Sequence, residues 1–238
     1  MDNPGYVSLT RQSGLLREMQ AVANNIANIS TTGFRKEGLI FSEFIVAMDN
    51  GDPSLSMANA DVRATSQVQG PLSQTGGTFD FAIEGEGFFL IETPSGQQLT
   101  RAGSFAQSPA GELVTPDGYR LLDNGGAPIF VPADATGISV AADGTMSADG
   151  RPVAQIGLYR PTDPTDLKHQ AGTLFAVANG VEPVDDSVIL QGFVENSNVN
   201  AVSEIARMIE IQRAYEMGQK LMDKEDERIR NVLQTLGR

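Results

Sequence analysis

The sequence predicts an α+β protein: long N- and C-terminal helices that pair as a coiled coil, with a central, mainly antiparallel β domain between them. Three observations predict it. Apolar residues recur every three or four positions near each end, turn signals recur at short intervals in the middle, and charge follows the same division. Residues 1–48 carry four basic and four acidic groups, and residues 199–238 carry seven of each. The net charge of −13 therefore belongs to 49–198, where six basic residues face nineteen acidic ones. That middle stretch also holds 11 of the 12 prolines and 19 of the 25 glycines. The predicted division is an N-terminal axial helix over 1–34, an extended connector over 35–75, a central β-rich domain over 76–190, and a C-terminal axial helix with its entry segment over 191–238.

The first helix is expected to start at Asn3, a good cap, with Pro4 in the first helical position, where its missing N–H costs nothing. Leu15, Met19, Val22, Ile26 and Ile29 then follow 4-3-4-3 spacing, the pattern of a coiled-coil seam. Leu9, Leu16 and Ala23 form a second line seven residues apart. Two lines on one helix imply more than one helical neighbour. The helix is expected to stop near Ser30–Gly33, because glycine takes the left-handed conformation at little cost.

The central stretch alternates Phe79, Phe81 and Ile83, then resumes with Phe88, Phe89 and Ile91 after Gly85-Glu86-Gly87. Turn signals follow at Pro94-Ser95-Gly96, Pro109-Ala110-Gly111, Pro116-Asp117-Gly118, Asn124-Gly125, Asp143-Gly144 and Asp149-Gly150. Short strands between such turns form antiparallel sheets.

The last helix is predicted over 200–236, capped within Asn196–Asn200. Met208, Tyr215, Met222, Ile229 and Leu236 recur every seven residues, and Val202, Ile205 and Ile209 add a second apolar face. Acid–base pairs three or four residues apart, such as Asp226 with Arg230, support the helix by a few tenths of a kcal/mol each. A helix of this length with a heptad line rarely stands alone. The assembly-interface residues expected from spacing are thus Leu9, Leu15, Leu16, Met19, Val22, Ile26, Ile29, Val202, Ile205, Met208, Ile209, Tyr215, Met222, Ile229 and Leu236.

Chemistry has little to work with. The chain has no cysteine, so disulfides and thiolate metal sites are excluded. The acidic balance argues against nucleic acid, whose binding rests on Lys and Arg meeting phosphates. No run of about 18 apolar residues is present, so no membrane insertion is expected, and the N-terminus does not read as a secretory signal. His169, the single histidine, sits beside Lys168 in PTDPTDLKHQ and reads as a solvated loop residue. Glu84 and Glu86 could be imagined as a glycosidase pair, but they flank Gly85 in what reads as a turn. No catalytic, cofactor-binding or metal-ligating residue is expected, and no cofactor.

Three segments carry a family resemblance. ANNIANISTTGFR (Ala23 to Arg35) resembles the N-terminal signature of the bacterial flagellar rod, hook and hook-associated axial proteins. QGFVENSNVNAVSEIARMIEIQRAYE (Gln191 to Glu216) resembles their C-terminal signature. DFAIEGEGFFLIETPSGQQLTRAGSFAQSPAGELVTPDGYRLL (Asp80 to Leu122) resembles the central domain of the larger rod and hook members. The family-motif residues are Asn24, Asn25, Asn28, Gly33, Phe34, Asn198, Val199, Gln212, Arg213 and Tyr215. The resemblance implies a non-enzymatic structural subunit of the basal-body rod, exported without a cleaved signal by the flagellar type III export apparatus. It implies partners that are copies of the chain and other rod subunits, a location in the rod that crosses the periplasm, and a role in motility. Length and the MDNPGYVSL opening look most like the proximal-rod members, with the distal-rod members as the alternative. Rivals from other classes are a periplasmic cell-wall glycan hydrolase and a regulatory binding module. Asn24 and Asn28 lie off the main apolar line and are expected to be free for neighbouring subunits or the channel wall.

Overall fold

The computed structural model describes the backbone of residues 3–46, 55–184 and 186–236, and the side chains of 8–40, 63–163, 165–184, 186–232 and 234–235. The chain divides into two compact units. One comprises Met1–Ala27, Glu37–Ala64 and Asn200–Arg238; the other comprises Asn28–Lys36 and Thr65–Val199.

The first unit is built on α1 (Asn3–Ala27) and α2 (Ala201–Leu236). At 1.5 Å per residue their 25 and 36 residues make rods of roughly 37 and 54 Å. Asn3, expected as the cap, is itself helical, so the capping position falls outside the described residues. At α2 the cap is Asn200, whose side-chain oxygen accepts from the Ser203 N–H at 3.1 Å. The helices pack against each other, and β1 (Glu37–Val46) packs against α1. Contacts of Asn25 with Glu204 and of Gln12 with Gly218 make the helix pair antiparallel. β1 pairs with β2 (Leu55–Thr65) in a two-stranded sheet, so the segment expected as an extended connector carries paired strands.

The second unit is the β domain, and its pairings are antiparallel. It opens with β3 (Leu72–Gln74), β4 (Phe81–Glu84), β5 (Phe88–Thr93) and β6 (Gly96–Thr100). The short strands β7 (Ala106–Gln107), β8 (Leu113–Val114) and β9 (Arg120–Leu121) follow. A meander of β10 (Ile138–Val140), β11 (Thr145–Ala148) and β12 (Arg151–Gln155) leads to β13 (Leu158–Pro161), β14 (Lys168–His169), β15 (Leu174–Ala176) and β16 (Val181–Pro183). The domain ends with β17 (Val188–Gln191), which pairs with β4, and β18 (Phe193–Glu195), which pairs with β3. The largest sheet runs β14-β15-β6-β5-β9-β8-β7, with β13 also on β5 and β16 on β13.

The turn residues do what their chemistry allows. Pro94 and Ser95 make the two-residue link between β5 and β6. Asp149 and Gly150 link β11 to β12 with φ of 50° and 78°, the pair of positive values that a type I′ hairpin needs. Asp149 pays for that strain through its carboxylate, which accepts from Gly137 N at 2.9 Å and from Thr136 N at 3.2 Å.

β5 is buried on both faces. Phe89 and Ile91 join the larger core with Phe81, Ile83, Leu113 and Leu121. Phe88 and Leu90 join a smaller cluster with Leu99, Leu167 and Phe175 on the other side. This unit reaches beyond 76–190 because residues 28–36, 65–75 and 191–199 share its hydrogen bonds.

Candidate assembly interface

Each terminal helix carries one face used within the chain and one that is not. On α1, Val22 is buried, while Leu15, Met19 and Ile26 are half-buried; Ile29, expected to continue this helical line, lies instead in the turn after α1 ends at Ala27 and is half-buried there. On α2, Met208, Tyr215, Met222 and Ile229 are half-buried. The inner face also includes a line that apolar spacing does not reveal. Glu204, Ile211, Gly218 and Glu225 recur every seven residues, and three of the four are not apolar. Ile211 is 2% exposed. A Cβ added at Gly218 would stand 3.2 Å from the Gln12 side chain of α1, so the glycine admits a close approach.

Polar groups fix this packing where α1 finishes and α2 begins. Asn25 is fully buried, and its amide donates to the Glu37 carbonyl at 2.8 Å and to Glu204 at 3.0 Å. Its oxygen accepts from Glu37 N at 2.9 Å. One side chain thereby joins the end of α1, the start of β1 and the start of α2. Arg207 donates through Nε to Glu18 on α1 at 2.7 Å. That hydrogen bond holds the guanidinium above its usual pKa, although burial pulls the other way.

The outward faces differ. Leu9 and Leu16 on α1 are 59% and 43% exposed, and Ala23 is exposed with them. Val202, Ile205 and Ile209 on α2 are 78%, 51% and 43% exposed. The side chain of Leu236 lies outside those described. Gln212 and Arg213 are exposed.

Asn24 and Asn28 are not free, contrary to the expectation from their position off the apolar line. Asn24 donates to the Glu37 carboxylate at 3.4 Å, and Asn28 accepts from the Thr31 hydroxyl at 3.1 Å. Both are used to turn the chain after α1, a job that short polar side chains do well.

The remaining motif residues meet inside the β unit. Gly33 has φ +73°, and a Cβ there would lie 2.2 Å from the Ala102 nitrogen. Its N–H donates to the Glu195 carbonyl at 2.7 Å. Phe34 is fully buried, and its carbonyl accepts from Asn198 N at 3.4 Å. The Asn198 side chain accepts from Lys36 N at 2.6 Å and donates to the Val68 carbonyl at 2.7 Å. Val199 is buried beside this junction in sequence.

Under these backbone bonds lies an ion cluster that apolar spacing does not reveal. Glu195 is 1% exposed and pairs with Arg35 at 3.0 Å and Arg101 at 2.9 Å. Its carboxylate also accepts from Gly70 N at 2.9 Å. Two buried cations on one anion leave an excess of positive charge, which carbonyl oxygens offset. Arg35 donates to the carbonyls of Gln67, at 3.0 Å, and Val68. Arg101 donates to the Gly85 carbonyl at 2.6 Å and sits 5.3 Å from the centre of the Phe88 ring. Burial lowers the pKa of both arginines, Arg101 to about 10, with Glu195 resisting the shift in each case.

The residues weighed for catalysis fall elsewhere. Glu84 and Glu86 are exposed at the β4–β5 turn, and Glu86 faces Arg160 at 3.5 Å. His169 is not a solvated loop residue: it lies in β14 between the rings of Phe34 and Phe175, with Nε2 2.7 Å from the Gly172 carbonyl. Among the described residues no cluster of acidic or histidine side chains could hold a metal ion, and no helix is long and apolar enough to cross a membrane.

Comparison with known proteins bears on the same segments. Residues 6–35 match the family described as flagella basal body rod protein. Residues 82–148 match the flagellar hook protein FlgE/F/G D1 domain, and 190–235 match the flagellar basal body rod FlgEFG protein C-terminal region. The chain is 40% identical to the flagellar basal-body rod protein FlgF of Caulobacter vibrioides, over 100% of the chain and 99% of the relative. It is 37% identical to FlgF of Mesorhizobium japonicum, with the same coverage. Against FlgG of Caulobacter vibrioides the identity is 31%, over 94% of the chain and 97% of the relative.

Proposed function

The chain belongs to the flagellar basal-body rod family, as a structural subunit of the rod rather than an enzyme, and we propose that it polymerises through the outward faces of its two terminal helices. It is most like the FlgF members, and the gap between 40% and 31% identity to FlgF and FlgG of one bacterium favours the proximal rod. Rod subunits assemble with one another. The finer reading is that α1 and α2 form a coiled coil. Leu15, Met19, Val22, Ile26, Met208, Tyr215, Met222 and Ile229 would be its inner seam. Leu9, Leu16, Val202, Ile205 and Ile209 would meet neighbouring subunits, and Leu236 would continue the seam. Residues 1–34 and 191–238 would then be the axial segments, and the type III export apparatus would be the route of delivery.

The observation that carries this reading is the exposure of five large aliphatic side chains on the two outward faces. Covering each is worth roughly 1 kcal/mol at about 25 cal/mol per Å². Identical contacts that do not close on themselves extend as a helical tube. The test is Val202→Asp combined with Ile205→Asp. Both positions are exposed in the single chain, so the purified protein should fold normally. In a rod, the charges would be buried unpaired at a cost of several kcal/mol. Incorporation and swimming should be lost, and motile cells would show that this face is not an assembly surface.

A further inference from the structure

Asn-Gly pairs stand in the sequence at 50–51, 124–125 and 179–180, and the first lies outside the described residues. Such a pair can react with itself. The glycine nitrogen can reach the asparagine side-chain carbonyl because no Cβ obstructs the approach. Asn124 and Asn179 are both exposed in the β unit, so access to water does not separate them. Their hydrogen bonds do. Gly125 N donates to the Asp123 carboxylate at 2.8 Å, and the same oxygen accepts from Ala127 N at 2.8 Å. Asn124 is pinned too: its N–H donates to the Gln155 carbonyl at 2.9 Å, and its carbonyl accepts from the Tyr159 hydroxyl at 2.8 Å. At the other pair, Asp166 accepts from the N–H groups of Ala178 at 2.8 Å and Asn179 at 2.6 Å but not from that of Gly180. Among the described residues, neither the Gly180 N–H nor the Asn179 side-chain amide has a hydrogen-bond partner. A Cβ added at Gly180 would meet nothing within 4 Å, whereas one at Gly125 would stand 3.3 Å from the Asp123 carboxylate.

We propose that Asn179 is a site of spontaneous covalent modification in the folded protein, converted through a cyclic imide to aspartate and isoaspartate, while Asp123 shields Asn124 from the same reaction. The Gly180 nitrogen bonds to Asn179 Cγ, the Cγ–Nδ2 bond breaks, and the proton lost from the Gly180 nitrogen leaves with Nδ2 as ammonia. Water then opens the ring. Attack at the side-chain carbon leaves aspartate. Attack at the main-chain carbonyl leaves isoaspartate, whose backbone is one carbon longer. At Asn124 the attacking N–H must first give up its bond to a carboxylate, which slows ring closure about tenfold. Both products place a new negative charge beside Asp166, which is itself buried, and like charges held close repel. Val177 and Val181 flank the turn and pack against the cluster of Phe88, Leu99, Leu167 and Phe175. The longer isoaspartyl chain therefore displaces one of these valines. None of this depends on how the chain assembles.

The test holds the purified full chain in warm, mildly alkaline buffer and follows its proteolytic peptides by mass spectrometry, with fragmentation to place each amide-to-acid change and each isoaspartate. In the folded chain Asn179 should convert about tenfold faster than Asn124. In urea, where neither turn exists, the two should convert at similar rates. Asp123→Ala frees the Gly125 N–H, so it should speed conversion of Asn124 severalfold in the folded chain and leave Asn179 unchanged. If Asp123→Ala unfolds the β unit, the comparison of folded and urea-treated unaltered chain decides. Equal rates at the two sites in the folded chain overturn the proposal. So does a difference that persists in urea, because flanking sequence rather than structure would then set it. Ageing should also lower the melting temperature of the β unit in the unaltered chain but not in Asn179→Gln, and equal changes in the two would overturn the displacement of Val177 or Val181.

Discussion

The β unit and the helical unit treat their apolar residues differently. In the β unit, Phe81, Phe89, Ile91, Leu113, Leu121 and Phe175 are essentially inaccessible, and two clusters on either side of β5 account for them. The helical unit is smaller, yet it holds nine of the thirteen large apolar side chains that are exposed among the described residues. Six of those nine lie on α2 alone: Val202, Ile205, Ile209, Met217, Leu221 and Val232. Folding therefore completes the β unit and leaves the helical unit with surface still to cover. A subunit of a polymer needs both kinds of part, one that is finished alone and one that is finished by its neighbours.

That contrast can be broken or sharpened by substitution. The largest effect on the isolated protein belongs to Phe89→Ala, which empties the centre of the β core. It should cost about 3–5 kcal/mol, read from denaturant unfolding of the monomer. A cost under about 1 kcal/mol would mean the core is not the tightly packed part. Smaller is Asn200→Ala, which removes the cap of α2. It should cost about 1 kcal/mol and lower the helical circular-dichroism signal while leaving the β unit's melting unchanged. A melting shift in both units would show that they do not fold as separable parts. Smallest is Arg230→Gln, which breaks the exposed pair with Asp226 on α2. The expected change is within about 0.5 kcal/mol, and a larger loss would place that turn inside a contact rather than on a solvated face.

Much of this arrangement can be read from residue order. The start of α2 follows from Asn200 and the first apolar pair, and its length from an uninterrupted run without proline. The Asp149-Gly150 hairpin follows from a dipeptide that tolerates two positive φ values. The half-buried line of Met208, Tyr215, Met222 and Ile229 follows from its seven-residue spacing. What escapes such reading is polar or distant. The line through Glu204, Ile211, Gly218 and Glu225 has one apolar member, so no hydrophobic period marks it. Arg35, Arg101 and Glu195 come from three separate segments, and a charge in a sequence says nothing about its partner until the fold brings them together. The order of strands in the large sheet is hidden for the same reason, since β15 pairs with β6 across more than seventy residues.

The Arg35–Glu195–Arg101 cluster also bears on solubility before the chain has folded. A junction made from valine and phenylalanine would leave adhesive segments near both ends of the unfolded chain. Such segments pair with one another whenever they are exposed. Here the stretch around Arg35 reads TTGFRKEG, and the one around Glu195 reads FVENSN. Charges and small polar groups keep both hydrated while they are apart. Their attraction becomes strong only when the fold excludes water around them, so the closure is silent in the unfolded chain and specific in the folded one. Arg35 and Glu195, which hydrate the two stretches while they are apart, are thus the same side chains that pair when the junction closes.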